Sequence, residues 1–338
     1  MGCNKFYYVD GRAVAGRKFP ARVEAVLRRL SSDRTSGASS LVELAASAFT
    51  ELSSATVSTG SPALSAEVED LCLEVLGTQP FMAPLYHLCA RVLGHAGPKR
   101  PVPEMKRGIS RSASHFAEGS AAGLERAAAQ GARLVLDGGR LLTLSSSAAV
   151  GRSLELAAAD RKRFTVTVLE SRPMLEGRNA AARLAGAGIP VELSVDAAMV
   201  SEVRRADRVI VGADALTEEV LVNKCGTLAL AVVAREYGVP VLAVAEGSKL
   251  LPNALLPEAD RHRDPREVWD AAPPGVAVRN RYFERVPLAQ VARIALEDGP
   301  ADAREVRRRL ERPDPALAAL GRLLGEKGGG PAGRGGRT

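Results

Sequence analysis

Aromatic residues make up only 4% of this sequence, so alanine, leucine and valine must do most of the packing. No run of 18 or more apolar residues occurs, and the opening MGCNKFYYVD has no apolar signal core. Both absences argue against a membrane span or a secretory leader and predict a cytoplasmic protein. Phe6 stands where an N-myristoylation signal needs Ser or Thr. The cysteines Cys3, Cys72, Cys89 and Cys225 show no paired spacing, so neither a zinc site nor a disulfide framework is expected, and the thiols should be reduced. No GxGxxG or Walker pattern is present, which argues against a dinucleotide or a P-loop nucleotide.

What is present suffices for one large or two modest domains: 338 residues, 46% of them hydrophobic. The net charge of +7 invites a nucleic-acid reading. From Ala301 onward, however, nine Arg or Lys stand against five Asp or Glu, so much of the excess sits at the C-terminus. The closing GEKGGGPAGRGGRT reads as a disordered, basic, glycine-rich tail that keeps the chain soluble, and nucleic acid is not the expected partner.

From Pro20 to about Gly94, apolar residues recur at three- and four-residue spacing in ARVEAVLRRL, SLVELAASAFTELS, ALSAEVEDLCLEVL and PLYHLCARVL. That spacing predicts helices. AGPKRPVP marks a linker, and a further helix is expected from Met105 to about Gln130. An alternation of strands and helices begins at Arg133. Strands are expected at Arg140 to Thr143, Phe164 to Leu169, Ile189 to Val195, Val209 to Val211 and Val239 to Val244. The first four run into Ser145-Ser146-Ser147, Glu170-Ser171-Arg172, Asp196 and Asp214. Polar groups placed repeatedly at strand C-termini are what a ligand crevice needs. Between Asp214 and the helix LALAVVARE lies Asn223-Lys224-Cys225-Gly226-Thr227, so an acid, an amide, an amine and an anion-binding helix start share one βαβ unit. A last strand near Val276 to Arg279 and a helix over PLAQVARIALEDG are expected to close the domain.

In this order the pieces RLLTLSSSAAV, LESRPMLEG, IPVELSVDAAM, VIVGADAL, VNKCGT, AVAEGSK and NRYFERVP resemble the family of translation initiation factor 2B alpha, beta and delta subunits. Ribose-1,5-bisphosphate isomerase and methylthioribose-1-phosphate isomerase belong to the same family. The resemblance covers about Arg133 to Gly299. It implies an α/β fold, with an N-terminal helical domain followed by a Rossmann-like parallel-sheet domain like that of ribose-5-phosphate isomerase. The expected divisions are residues 1–103 for the helical domain and linker, 104–300 for the Rossmann-like domain, 301–327 for C-terminal helices and 328–338 for the tail. A homodimer or higher homo-oligomer is implied, built through PLAQVARIALEDG. No cofactor and no metal ion are expected.

The isomerases of the family turn an aldose phosphate into a ketose phosphate with a cysteine and an aspartate. The aspartate corresponds to Asp214; the cysteine position is Ser145 here, with Leu144 replacing the histidine before it. The resemblance assigns Arg172, Asn223, Lys224, Gly226, Thr227 and Lys249 to the phosphorylated sugar or nucleotide. Gly37 of SGAS stands where the isomerases carry Arg-Gly-Ala. Glu246 belongs to the same pattern as Lys249. Glu170 is expected to support the Arg172 loop, Asp196 to cap a helix or touch the ligand, and Cys225 to pack. Two functions stay open: a ribose-1,5-bisphosphate isomerase-like enzyme with an altered active site, or a non-catalytic regulatory subunit of the initiation-factor kind.

Overall fold

The computed structural model describes residues 6–9, 12–15, 18–33, 37–258, 260, 263–312 and 314–328. The tail expected beyond residue 328 lies outside them. The described residues open with the hairpin strands β1 (Phe6–Val9) and β2 (Arg12–Ala15). Helices α1 (Ala21–Ser32), α2 (Ala38–Ala55), α3 (Ser61–Thr78), α4 (Ala83–Leu93) and α5 (Val102–Arg133) follow. Then come β3 (Arg140–Leu144), α6 (Ala148–Ala159), β4 (Thr165–Leu169), α7 (Glu176–Gly186), β5 (Val191–Ser194), α8 (Met199–Arg205) and β6 (Arg208–Val211). The short strands β7 (Ala215–Leu216) and β8 (Val220–Lys224) precede α9 (Thr227–Glu236) and β9 (Val241–Val244). The chain ends in β10 (Phe283–Pro287), β11 (Arg293–Leu296), β12 (Gly299–Ala301), α10 (Ala303–Leu310) and α11 (Pro315–Gly328).

These elements fall into two units. One holds residues 1–33, 40–119 and 312–338, and the other holds residues 34–39 and 120–311. The division falls inside α5 at residues 119/120, not at the expected linker near 103, because the helix runs unbroken from Val102. Likewise α10 groups with the sheet and α11 with the helical unit. In the helical unit the sequence periodicity does the work. Val23, Val26, Leu27 and Leu30 form the buried stripe of α1, and Leu64, Val68, Leu71 and Val75 that of α3.

The second unit is built on a seven-stranded sheet in the order β12-β11-β9-β6-β3-β4-β5. All neighbours are parallel except β12, which runs antiparallel to β11. Helices on both faces explain why β9 reads as an unbroken apolar run, buried at all four positions. From β3 the chain moves outward through β4 to β5, and from β6 it moves the other way through β9 to β11. The order therefore reverses between β3 and β6, and in open parallel sheets ligands bind beyond the carboxyl ends at such a point.

Two expectations are corrected here. PLAQVARIALEDG is not a helix: Arg293–Leu296 is strand β11, paired with β9, and Ile294, Ala295 and Leu296 are all buried. Its helix-forming composition yields to the gain from burying three apolar side chains at the sheet. Residues 276–279 form no strand; the neighbouring strand is β10, which joins β8 and β7 in a small antiparallel sheet. The link from Asp214 to Asn223 is thus a β7–β8 hairpin.

Candidate active site

Three strand ends are tied together by a relay of short polar contacts. The Ser145 N–H, after β3, donates to Ser171 Oγ at 2.6 Å. Ser171 follows β4, and its N–H donates to Asp196 Oδ1 at 2.8 Å, while the Arg172 N–H donates to Asp196 Oδ2 at 2.7 Å. Asp196 follows β5, so it fixes the Ser171-Arg172 turn rather than capping a helix. Ser145 and Ser171 both have φ of +63°, a conformation uncommon outside glycine and concentrated at functional sites. Ser147 caps α6, its hydroxyl accepting from the Val150 N–H at 3.3 Å.

Opposite this relay, β6 ends in Gly212-Ala213-Asp214. A Cβ on Gly212 would overlap Ser147 Oγ, so only glycine lets β6 end this close to the start of α6. The Asp214 N–H donates to the Val222 carbonyl at 2.8 Å, which anchors the acid to β8. Lys224 of β8 extends to Glu176 at the head of α7 and donates to its Oε1. The Lys224 ammonium also lies 4.7 Å from the centre of the Tyr282 ring and 5.4 Å from that of Phe283, within cation–π range. After β9, Lys249 Nζ stands 3.7 Å from Glu246 Oε1. Lys224, Glu176, Lys249 and Glu246 are between 3% and 6% exposed, a burial that lysine and glutamate tolerate only when paired.

Lys224 and Lys249 are each matched to a glutamate, and Asp214 is an acid outside both pairs. Burial pushes the Asp214 carboxyl above its ordinary value, against the pull of Lys249 and Lys224 and with the help of Glu246 and Glu176. The arrangement offers a carboxyl raised above its ordinary value at the switch point of the sheet, with two paired ammonium groups nearby. That suits proton transfer on an anionic substrate.

The sequence model of the initiation factor 2 subunit family matches residues 34–300. The chain belongs to this family. It is 32% identical over 286 residues to a translation initiation factor eIF-2B subunit 2-like protein of Pyrococcus horikoshii, covering 83% of this chain and 96% of that one. It is also 32% identical over 230 residues to the ribose 1,5-bisphosphate isomerase of Archaeoglobus fulgidus, covering 67% and 73%. The crystal structure of the Pyrococcus horikoshii translation initiation factor eIF-2B superposes with a TM-score of 0.74 at 30% identity, over 84% of this chain and 98% of that one.

Against the family's pattern, Lys249 and Lys224 come close enough to act on the charge of Asp214, and Ser145 follows β3, the sheet neighbour of β6. Gly37 sits beside Ala148 at the start of α6. Arg172 is exposed, its guanidinium donating to the Val268 carbonyl at 2.9 Å. Asn223 turns to Thr227, its amide donating to Oγ1 at 3.1 Å, and the Thr227 hydroxyl donates to the Lys224 carbonyl at 2.6 Å. The start of α9 at Gly226-Thr227 already holds an anion, since the Leu228 N–H donates to Glu284 Oε1 at 2.8 Å. A carboxylate there repels a phosphate, which corrects the expectation of a free anion-binding turn. Glu170 pairs with Arg178 at 2.9 Å instead of with the Arg172 loop. Burial, with Glu284 and Asp260, pushes the Cys225 thiol up to about 12, so it packs rather than reacts. Sequence reasoning missed Glu176. It was visible only as the residue opening α7, and its partner Lys224 lies 48 positions away.

Proposed function

We propose that the crevice at the carboxyl ends of β3 and β6 binds a phosphorylated sugar and isomerises an aldose phosphate to a ketose phosphate, with ribose 1,5-bisphosphate as the substrate to test first. The observation that carries this reading is Asp214, a carboxyl raised by burial between two buried lysines at the switch point. Isomerisation moves a proton between neighbouring carbons, which needs a group that gives and takes near neutrality. The named activity of the Archaeoglobus fulgidus relative supports the same substrate class. Lys224 and Lys249, though paired with glutamates, supply N–H donors to the substrate, Arg172 reaches it from the exposed rim, and Gly37 lies beside the start of α6. A homodimer or higher homo-oligomer belongs to this proposal on family grounds. Light scattering at micromolar concentration should give a multiple of the 35.5 kDa chain mass, and a monomeric mass would rule the assembly out.

Ser145 favours a second reading, a regulatory subunit of the initiation-factor kind that keeps the pocket without the chemistry. A hydroxyl is a far weaker acid than a thiol, and the Ser145 N–H is already engaged by Ser171. The variant Ser145→Cys decides between the two. In an enzyme it should keep or raise turnover of ribose 1,5-bisphosphate. If wild type and Ser145→Cys both bind the sugar phosphate by calorimetry and neither turns it over, the regulatory reading takes over.

A further inference from the structure

The isomerase reading leaves a gap in the proton count. When a cyclic aldose 1-phosphate becomes a ketose phosphate, the C1–O4 bond breaks and O4 gains a proton. The C2–H bond gives up its proton, C1 gains one, and the O2 hydroxyl loses its own to become the carbonyl. Two protons therefore move, one from C2 to C1 and one from O2 to O4, and the elements balance with no co-reactant. One carboxyl serves one of these transfers well. Ser145 is too weak an acid for the other, and the Cys225 thiol is pushed up to about 12.

The geometry points to Glu176 as the second acid–base group of the site, a role that rests on the isomerase reading above. Glu176 is 4% exposed and heads α7. Its Oε1 accepts from the Lys224 ammonium, while its Oε2 is buried with no hydrogen-bond partner among the described residues. An orphaned buried carboxylate oxygen is costly, and this one is left open to a further partner such as a substrate hydroxyl. Glu176 is also close enough to act on the charge of Asp214. Glu246, the buried glutamate beside Lys249, is placed differently: its Oε1 faces Lys249 at 3.7 Å and Ser248 Oγ at 3.5 Å. Asp214 then serves the carbon pair and Glu176 Oε2 the oxygen pair, with Lys224 fixing the carboxylate in place.

Glu176→Gln tests this, because the amide keeps an oxygen for Lys224 and loses the group that carries a proton. Turnover of ribose 1,5-bisphosphate by the full chain should fall by on the order of 100-fold or more in kcat, with KM nearly unchanged, and the pH profile of kcat should lose one of its limbs. Glu176→Asp, which keeps the carboxylate on a shorter arm, should recover part of kcat and the missing limb. It also covers the case of a Gln variant that does not fold. A kcat for Glu176→Gln within about threefold of an active wild type, or equal kcat losses in both variants with an unchanged pH profile, would reduce Glu176 to a structural partner of Lys224 and overturn the inference. A wild type that binds the sugar phosphate and never turns it over overturns the isomerase reading itself, and this role with it.

Discussion

Replacing Asp214 with asparagine is expected to abolish most turnover and, in the same protein, to raise thermal stability at neutral pH. The loss should reach on the order of 100- to 10,000-fold in kcat, the range that a positioned acid–base group contributes. The gain follows from the direction of the Asp214 shift. Its folded-state carboxyl is held above the ordinary value of 3.8, chiefly by burial. In acid, folded and unfolded chains are both protonated there, and the group costs nothing. As pH climbs past 3.8 the unfolded chain ionises while the folded chain resists, so wild type loses stability until pH has passed the raised folded value. Asparagine never ionises and escapes that loss. The melting-temperature gap between Asp214→Asn and wild type should be smallest well below pH 3.8 and widen in favour of the mutant as pH rises above it. A gap independent of pH, or one favouring wild type at neutral pH, would mean that the fold does not raise this carboxyl. Stability given up at one residue for the sake of chemistry is the signature of a working site.

Features carried by short-range pattern were legible in the sequence. Parallel strands buried on both faces must be apolar throughout, so RVIV and VLAV identify themselves, and the polar residues that follow them mark the ligand edge. Asp214 was found in this way. The β7–β8 hairpin was not, because Ala215–Leu216 is too short to show a period. Strand β11 was misread because ARIALED carries good helix formers, and its pairing with β9 brings Arg293 beside Leu242, 51 positions earlier. The most consequential miss was Glu176. A glutamate opening a helix looks like a favourable helix-dipole placement, which it also is. Nothing local reveals that Lys224 meets it from β8. The neighbouring Gly177 was legible as a motif residue but not explained. A Cβ there would overlap the Leu169 carbonyl oxygen, so the glycine is what lets α7 start against the end of β4.

Lys224→Met should strongly destabilise the sheet unit, and the reason is the partner it leaves behind. Lys224 and Glu176 are 6% and 4% exposed, so water screens neither charge appreciably. Removing one member of a buried pair strands the other without compensation, at a cost of about 3–5 kcal/mol, whereas replacing both with neutral groups of similar size is often close to neutral. Methionine preserves most of the lysine's volume and its packing on Tyr282 and Phe283, so the single mutant isolates the lost charge from a cavity. Urea unfolding of wild type, Lys224→Met, Glu176→Gln and the double mutant forms a cycle. Lys224→Met alone should lose the most. Adding Glu176→Gln should restore the greater part, since the amide carries no charge to strand. Additive losses in the double mutant would show that the two side chains do not depend on each other. The crevice would then lose the fixed ammonium on which both Asp214 and Glu176 are arranged.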